Sequence, residues 1–243
     1  IKIIGDNTDM FAQGYFFYDS KKSGGITVSH LRFGSSPITS TYLINKANFV
    51  ACHCPSYVTK YDMVQDLVPG GTFLLNCIWT PDQLDSQLPA SMKRYIAENN
   101  IHFYIINGIK IAEEVGLPGR ASTILQSAFF AISGILPVEK AIELIKAAVV
   151  KKFSKKGEVV VNANFAGIDR GAQEIVKVDV PDSWKTAEDA PRRLEVPTDR
   201  PEMKKFVKEI LDPVGRLHGD DLPVSAFADR ADGVYPAGSA AFE

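Results

Sequence analysis

The short segment Lys21-Lys22-Ser23-Gly24-Gly25 has the residue types of an anion-binding loop. Successive glycines tolerate positive φ angles, so the backbone N–H groups of such a loop can converge on one point. Convergent N–H groups beside two ammonium groups form a concave site that suits a phosphate. The same residues are also ordinary turn formers, and they fit a hairpin whose tip happens to be basic. The segment alone leaves both interpretations open.

Arg32 is a second candidate for an anion contact, because it follows this loop on a strand-like segment. A guanidinium group can donate two parallel hydrogen bonds either to a phosphate or to a neighbouring carboxylate. We favour the acidic neighbour as its partner.

Cys52-His53-Cys54 has the composition of part of a metal site. A structural zinc site needs four ligands, usually from two cysteine or histidine pairs, and only Cys77, His30 and His102 could complete this one. We favour the interpretation that Cys52 and Cys54 end a buried strand, where cysteine packs as a small apolar residue. Because the paired spacing of a structural zinc site is missing, we predict no metal ligand. Because no histidine lies beside a nucleophile in a recognised motif, we predict no catalytic residue.

The composition is that of a globular protein, with 45% hydrophobic and 23% charged residues among 243. A net charge of −2 provides no basic field for nucleic acid. No apolar run approaches the roughly 18 residues of a membrane span. Three cysteines, a low and odd number, argue against a disulfide framework and fit a reducing compartment. We therefore expect a cytoplasmic protein that binds neither nucleic acid nor membranes.

Strand-like segments are followed by helix-like segments along most of the chain. The strand-like segments are 10–18, 26–32, 47–52, 72–78 and 101–106, and the helix-like segments are 56–67, 81–99, 120–134, 138–152 and 158–175. The first two strands can pair across the basic loop as a hairpin. Short apolar strands that alternate with helices indicate βαβ units, so we predict an α/β fold with a mostly parallel central sheet flanked by helices.

The composition changes after Val180, where proline, glycine and charged residues replace the periodic pattern. We predict an α/β domain over residues 1–180 and a long irregular arm over 181–243, with one helix near 202–211. We expect the arm to wrap on this domain or on a neighbour. Because the first residue is Ile1 rather than Met, we also expect the chain to be a domain excised from a longer polypeptide.

Taken together, six long strings resemble the central gamma domain of the pyruvate:ferredoxin (flavodoxin) oxidoreductase family. They are residues 3–8, 18–34, 37–44, 162–171, 219–227 and 232–239. The resemblance extends over nearly the whole chain. It implies the fold of the gamma subunits of 2-oxoacid oxidoreductases.

The resemblance also implies an activity for the parent enzyme, which oxidatively decarboxylates pyruvate to acetyl-CoA on thiamine diphosphate with Mg²⁺. Electrons pass through [4Fe–4S] clusters to ferredoxin or flavodoxin. The thiamine and cluster domains of the family lie elsewhere, and the arm would lead towards a ferredoxin-like domain. We therefore expect no cofactor in this chain and no turnover by it alone. Its expected partners are the other domains of the same polypeptide in a homodimeric parent.

In the family this domain is associated with coenzyme A entry. From the resemblance we predict that the phosphates of coenzyme A are held by Lys21, Lys22, Ser23, Gly24 and Gly25, with Arg32 as a weaker candidate. The alternative is a purely structural module that forms domain interfaces and binds no ligand. A free-standing nucleotide-binding transferase is disfavoured, because no nucleophile–base pair can be named.

Overall fold

The computed structural model describes residues 1–19, 25–189 and 194–242. The chain begins with a short helix, α1 (Lys2–Gly5), and an antiparallel hairpin of β1 (Phe11–Tyr18) and β2 (Thr27–Gly34). The hairpin forms a two-stranded sheet of its own. The predicted pairing of these two strands is confirmed, whereas Lys21, Lys22, Ser23 and Gly24 lie outside the described residues.

The centre of the fold is a four-stranded sheet in the order β3-β4-β5-β6. Its strands are β3 (Ala47–Cys52), β4 (Leu67–Asn76), β5 (His102–Ile106) and β6 (Val176–Lys177). The first three are parallel, and β6 runs antiparallel to β5. The predicted α/β fold with a mostly parallel sheet is confirmed.

Helices cover both faces of this sheet, with α2 (Leu84–Gln87) and α3 (Ala90–Glu98) on one face and α4 (Gly108–Glu114) and α5 (Ser122–Ser133) on the other. The next two helices, α6 (Val138–Phe153) and α7 (Glu158–Gln173), pack against α5. Side chains alternate along β4, so Phe73 and Leu75 pack with α3 while Leu74 packs with α4 and α5. In the part of the chain that the structure describes, no helix is both long and apolar enough to cross a membrane.

Two glycines set the distance between α5 and α7. Gly167 and Gly171 are four residues apart and therefore share one face of α7. A Cβ atom at Gly171 would lie 2.5 Å from the carbonyl oxygen of Ile124 on α5. Ser127 of α5 donates its hydroxyl to the carbonyl oxygen of Ile168, at 2.6 Å. The two helices thus cross with their backbones almost in contact.

The structure differs from the predicted elements in several places. The predicted helix 56–67 is replaced by a 3-10 helix, Pro55–Thr59, an irregular stretch and the first residue of β4. The predicted helix 81–99 is interrupted at Leu88. Neither β6 nor α4 was predicted. Pro89 explains the interruption, because proline disfavours a helical conformation in the residue before it, and Leu88 is extended (ψ 139°).

The arm is more ordered than its composition suggests. Trp184 is buried in the same core as Phe73, beside α3. Further along, α8 (Pro201–Phe206), a π-helical turn (Val207–Leu211) and α9 (Asp212–Gly215) form one continuous helical segment. Its apolar side chains make a separate small core with Val196 and Phe227. The arm therefore packs partly on the main domain and partly on itself.

Candidate functional site

The residues that flank the basic loop are tied to each other and, at Gly25, to the main domain. The backbone N–H of Asp19 donates to the carbonyl oxygen of Ile26 at 3.1 Å, which closes the base of the loop, and Ile26 is buried. The hydroxyl of Tyr57 donates to the carbonyl oxygen of Gly25 at 3.3 Å. Of the five residues predicted to form the loop, Gly25 is the one whose position the structure describes, and it is held by the core.

Tyr57 lies in the 3-10 helix that follows β3, so the loop base is next to the carboxyl end of the parallel sheet. Asn76, the last residue of β4, organises this edge. Its Nδ2 donates to the carbonyl oxygen of His53 at 2.9 Å, and its Oδ1 accepts from the N–H of Gly108 at 2.9 Å. The buried amide thus joins the segments that follow all three parallel strands. Ligands of open α/β sheets bind at this edge.

The two buried cysteines at this edge have little nucleophilic or metal-binding character. Cys52 is the last residue of β3, and burial raises the pKa of its thiol to about 12. Burial also raises the pKa of the Cys77 thiol. Both are therefore protonated at neutral pH, whereas the thiolate is the nucleophile and metal ligand. Cys52 is buried at the end of β3, but the other residues of this strand are half-buried or exposed, and Cys54 follows the strand and is half-buried.

Among the described residues, no three histidine, cysteine or carboxylate side chains lie close enough together to hold a metal ion. The six candidate ligands named from the sequence therefore do not assemble into one metal site. In particular, that part of the chain does not offer the four thiolates that a [4Fe–4S] cluster needs.

Arg32 has protein partners in the hairpin and in the loop after it. Its Nη1 donates to Oε1 of Gln13 at 3.1 Å, and its Nη2 donates to the carbonyl oxygen of Tyr42 at 2.7 Å. The guanidinium also lies over the ring of Tyr42, 5.0 Å from its centre. The acidic neighbour that we expected is not among the partners described for Arg32. Its role as a phosphate ligand stays a prediction.

Two histidines have structural contacts. Nδ1 of His30 accepts a hydrogen bond from the N–H of Ile44 at 3.1 Å, and desolvation lowers the pKa of His30. The imidazole is therefore neutral at pH 7, and it helps to hold the segment that contains Ile44 against β2. His218 in the arm lies 3.3 Å from Asp62 and 3.0 Å from Asp221. The His30 contact thus holds the segment after β2, and the His218 contact with Asp62 ties the arm to the main domain.

Sequence reasoning missed Asn76 and Tyr57 as organisers of this edge. The one available signal for Asn76 is its place in the apolar run Thr72–Ile78, where a polar residue at a strand end needs hydrogen-bond partners once buried. The contact of Tyr57 with Gly25 spans 32 residues and has no local pattern.

Comparison with known proteins identifies the family. The family model described as pyruvate ferredoxin/flavodoxin oxidoreductase matches residues 1–174, and a second model, described as a domain of unknown function, matches residues 189–243. The chain is 50% identical to a pyruvate-flavodoxin oxidoreductase of Enterobacter agglomerans over 246 residues. It is 49% identical to a pyruvate:ferredoxin oxidoreductase of Moorella thermoacetica over 243 residues.

In both comparisons the match covers 100% of this chain but 20% of the relative, so the chain spans a fifth of the length of these relatives. Among solved structures, the pyruvate oxidoreductase subunit PORC of Thermotoga maritima is similar, with a TM-score of 0.54 at 17% identity. That match covers 70% of this chain and 83% of the subunit, and it shows a shared fold. The chain belongs to the pyruvate ferredoxin/flavodoxin oxidoreductase family.

Proposed function

We propose that this chain is the gamma-type domain of an enzyme that oxidatively decarboxylates pyruvate to acetyl-CoA and passes the electrons to ferredoxin or flavodoxin. The observation that carries the proposal is the identity of about half of all residues, along the whole chain, with enzymes named for this reaction. Thiamine diphosphate, Mg²⁺ and the [4Fe–4S] clusters would be held by the other domains of a homodimeric parent. A cytoplasmic location is part of the same proposal.

Within that enzyme, we assign to this domain a role in holding coenzyme A. The ligand carries several phosphate charges, and Lys21 and Lys22 supply two cations next to the N–H donors of Ser23, Gly24 and Gly25. In support, Tyr57 fixes the carbonyl of Gly25 beside the carboxyl end of the parallel sheet, where ligands of α/β folds bind. Arg32 is the weaker candidate, since both of its terminal nitrogens already have protein partners.

Removing the two ammonium groups should weaken the binding of coenzyme A. A hydrogen bond to a charged group contributes about 1.5–3 kcal/mol, and 1.4 kcal/mol is about tenfold in affinity. In the full-length enzyme we expect Lys21→Ala/Lys22→Ala to raise the Kd for coenzyme A by about tenfold or more, measured by calorimetric titration at low salt.

The matched control is Lys155→Ala/Lys156→Ala, which removes the same charge from exposed residues after α6. The Kd of the control should stay within about twofold of the wild-type value. An unchanged Kd in Lys21→Ala/Lys22→Ala would refute the role of this domain in holding coenzyme A. It would leave the assignment of the chain to the oxidoreductase family unaffected.

The alternative is an interface module that binds no ligand, and the exposed aromatic residues of the hairpin favour it. A ligand that binds the native state raises its melting temperature, and an electrostatic contribution weakens with salt. If the domain carries the main phosphate contacts, millimolar coenzyme A will raise the Tm of the 243-residue chain by a few degrees at low salt and less at 0.5 M salt. The interface hypothesis predicts the same Tm with and without coenzyme A.

A further inference from the structure

Four consecutive aromatic residues of β1 are exposed, and we call them the aromatic ridge: Tyr15 (53% exposed), Phe16 (48%), Phe17 (38%) and Tyr18 (67%). Each such side chain can bury roughly 150–250 Å² in a contact. Contiguous apolar surface of this kind is rare on a monomer and marks an interaction site. Tyrosine and phenylalanine are also the residues that interface centres favour.

The ridge has two faces, because successive side chains of a strand point to opposite sides of the sheet. Tyr15 and Phe17 lie on one face, with Phe16 and Tyr18 on the other. Three of the four partners of the ridge on β2 are polar. The strand register places His30 opposite Tyr15, Ser29 opposite Phe16, Val28 opposite Phe17 and Thr27 opposite Tyr18. A single flat partner could cover only one of these faces.

The half of the hairpin nearer the N-terminus has contacts with other parts of the chain on both faces. On one face, Arg32 and Gln13 hold the loop that contains Ser40 and Tyr42. On the other face, the side chain of Ile1 packs against Gly14, where a Cβ atom would clash with it. Phe11 and Leu31 are also exposed in that half, but the run of four consecutive exposed aromatic residues lies in the half of β1 that leads into the basic loop.

We propose that the aromatic ridge inserts into a cleft formed by the remaining polypeptide of the same enzyme, which covers both faces of the hairpin. The relatives are five times as long as this chain, since it covers 20% of their length. That polypeptide is tethered to the domain, so its effective concentration exceeds that of any second copy. Ile1 itself lies on the hairpin, so polypeptide joined before it would emerge beside the ridge. This inference does not depend on coenzyme A binding.

The test is photo-cross-linking in the full-length enzyme, with p-benzoylphenylalanine in place of Phe16 in one variant and Phe17 in another. The substitution keeps an aromatic ring, and the two positions probe opposite faces. The control carries the same residue in place of Val159, which is 83% exposed on α7. We expect both hairpin variants to cross-link to peptides outside residues 1–243 of the same polypeptide, without a band of doubled mass on a denaturing gel.

Three results would overturn the proposal. A band of doubled mass would show that a second copy covers the ridge. Cross-linking from only one of the two positions would show that the hairpin is covered on one face. Cross-linking at the level of the Val159 control would show that nothing covers it. None of these outcomes bears on the affinity for coenzyme A, so this inference and the proposed ligand role are tested separately.

Discussion

Replacing Trp184 with alanine will lower the free energy of unfolding of this chain by about 3–5 kcal/mol, the usual cost of removing a buried aromatic ring. Trp184 is buried, and its ring centre is 6.3 Å from that of Phe103 on β5. The alanine variant would leave a cavity between the sheet and the first part of the arm. For a chain of this length, 1 kcal/mol corresponds to roughly 2–4 °C in Tm, so a fall of about 10 °C is expected.

The same ring also fastens the arm through a hydrogen bond. Nε1 of Trp184 donates to Oδ1 of Asp85 at 2.9 Å, and Nζ of Lys93 lies 3.2 Å from the same oxygen. The Asp85 side chain is largely exposed, so water can replace this contact when it is lost. Trp184→Phe keeps most of the packing and removes the N–H donor, and we expect it to cost only about 1–2 kcal/mol. Urea unfolding followed by circular dichroism measures both values.

Equal losses in Trp184→Ala and Trp184→Phe would contradict this account, because they would mean that the hydrogen bond rather than the buried ring holds the arm. A loss below about 1 kcal/mol in the alanine variant would show that the arm does not complete the core.

Gly171→Ala should be the most destabilising single methyl addition in the α5–α7 contact. The new Cβ would lie 2.5 Å from the carbonyl oxygen and 3.0 Å from the Cα of Ile124, and backbone atoms can yield only if α5 moves. Overpacking of this kind lowers the free energy of unfolding by about 1–3 kcal/mol or more. We expect Gly171→Ala to lower the free energy of unfolding by about 3 kcal/mol, even though alanine has a helix propensity about 1 kcal/mol more favourable than that of glycine.

Gly167→Ala is the matched control, one helical turn earlier on the same face. There the nearest atom is Cγ1 of Ile124 at 3.1 Å, a side-chain atom that can shift. Its cost should therefore stay below about 1 kcal/mol, and the higher helix propensity of alanine can offset it. If both variants lose the same stability in urea titrations, close backbone contact is not what Gly171 provides.

The sequence was sufficient to predict the elements that bury an apolar pattern. The run Ala47–Cys52 is a strand with the predicted bounds, and the helical periodicity over 138–152 corresponds to α6 (Val138–Phe153). Such patterns are local, so they can be recognised without knowing what they pack against.

The elements that the sequence did not predict depend on distant partners. Strand β6 has only two residues and exists because Ile105 and Tyr104 pair with it. Tyr61, Val64 and Leu67 are buried at three-residue intervals, which imitates a helix. Their backbone is instead tied to other elements, since the carbonyl oxygen of Asp66 accepts from Ala47 and that of Leu67 accepts from Tyr95.

The candidate site likewise has some features that a local sequence pattern predicts and others that depend on distant residues. The types of residue in the basic loop could be recognised from the sequence, and so could the buried end of β3. The link from Asn76 to the segments after β3 and β5 joins residues 23 and 32 positions apart, and no local pattern specifies it. The division between residues 1–180 and the arm stays a prediction, and Trp184 shows that packing continues across it.

The most direct test of the account is the salt dependence of coenzyme A binding to the full-length enzyme. Screening weakens contacts between exposed charges, so the Kd should rise with salt if lysines hold the phosphates. We predict that Lys21→Ala/Lys22→Ala binds coenzyme A more weakly than wild type at low salt. Its Kd should also rise clearly less than that of wild type between 0.05 and 0.5 M salt, a range over which the Debye length falls roughly threefold. An affinity and a salt dependence identical to those of wild type would contradict the account.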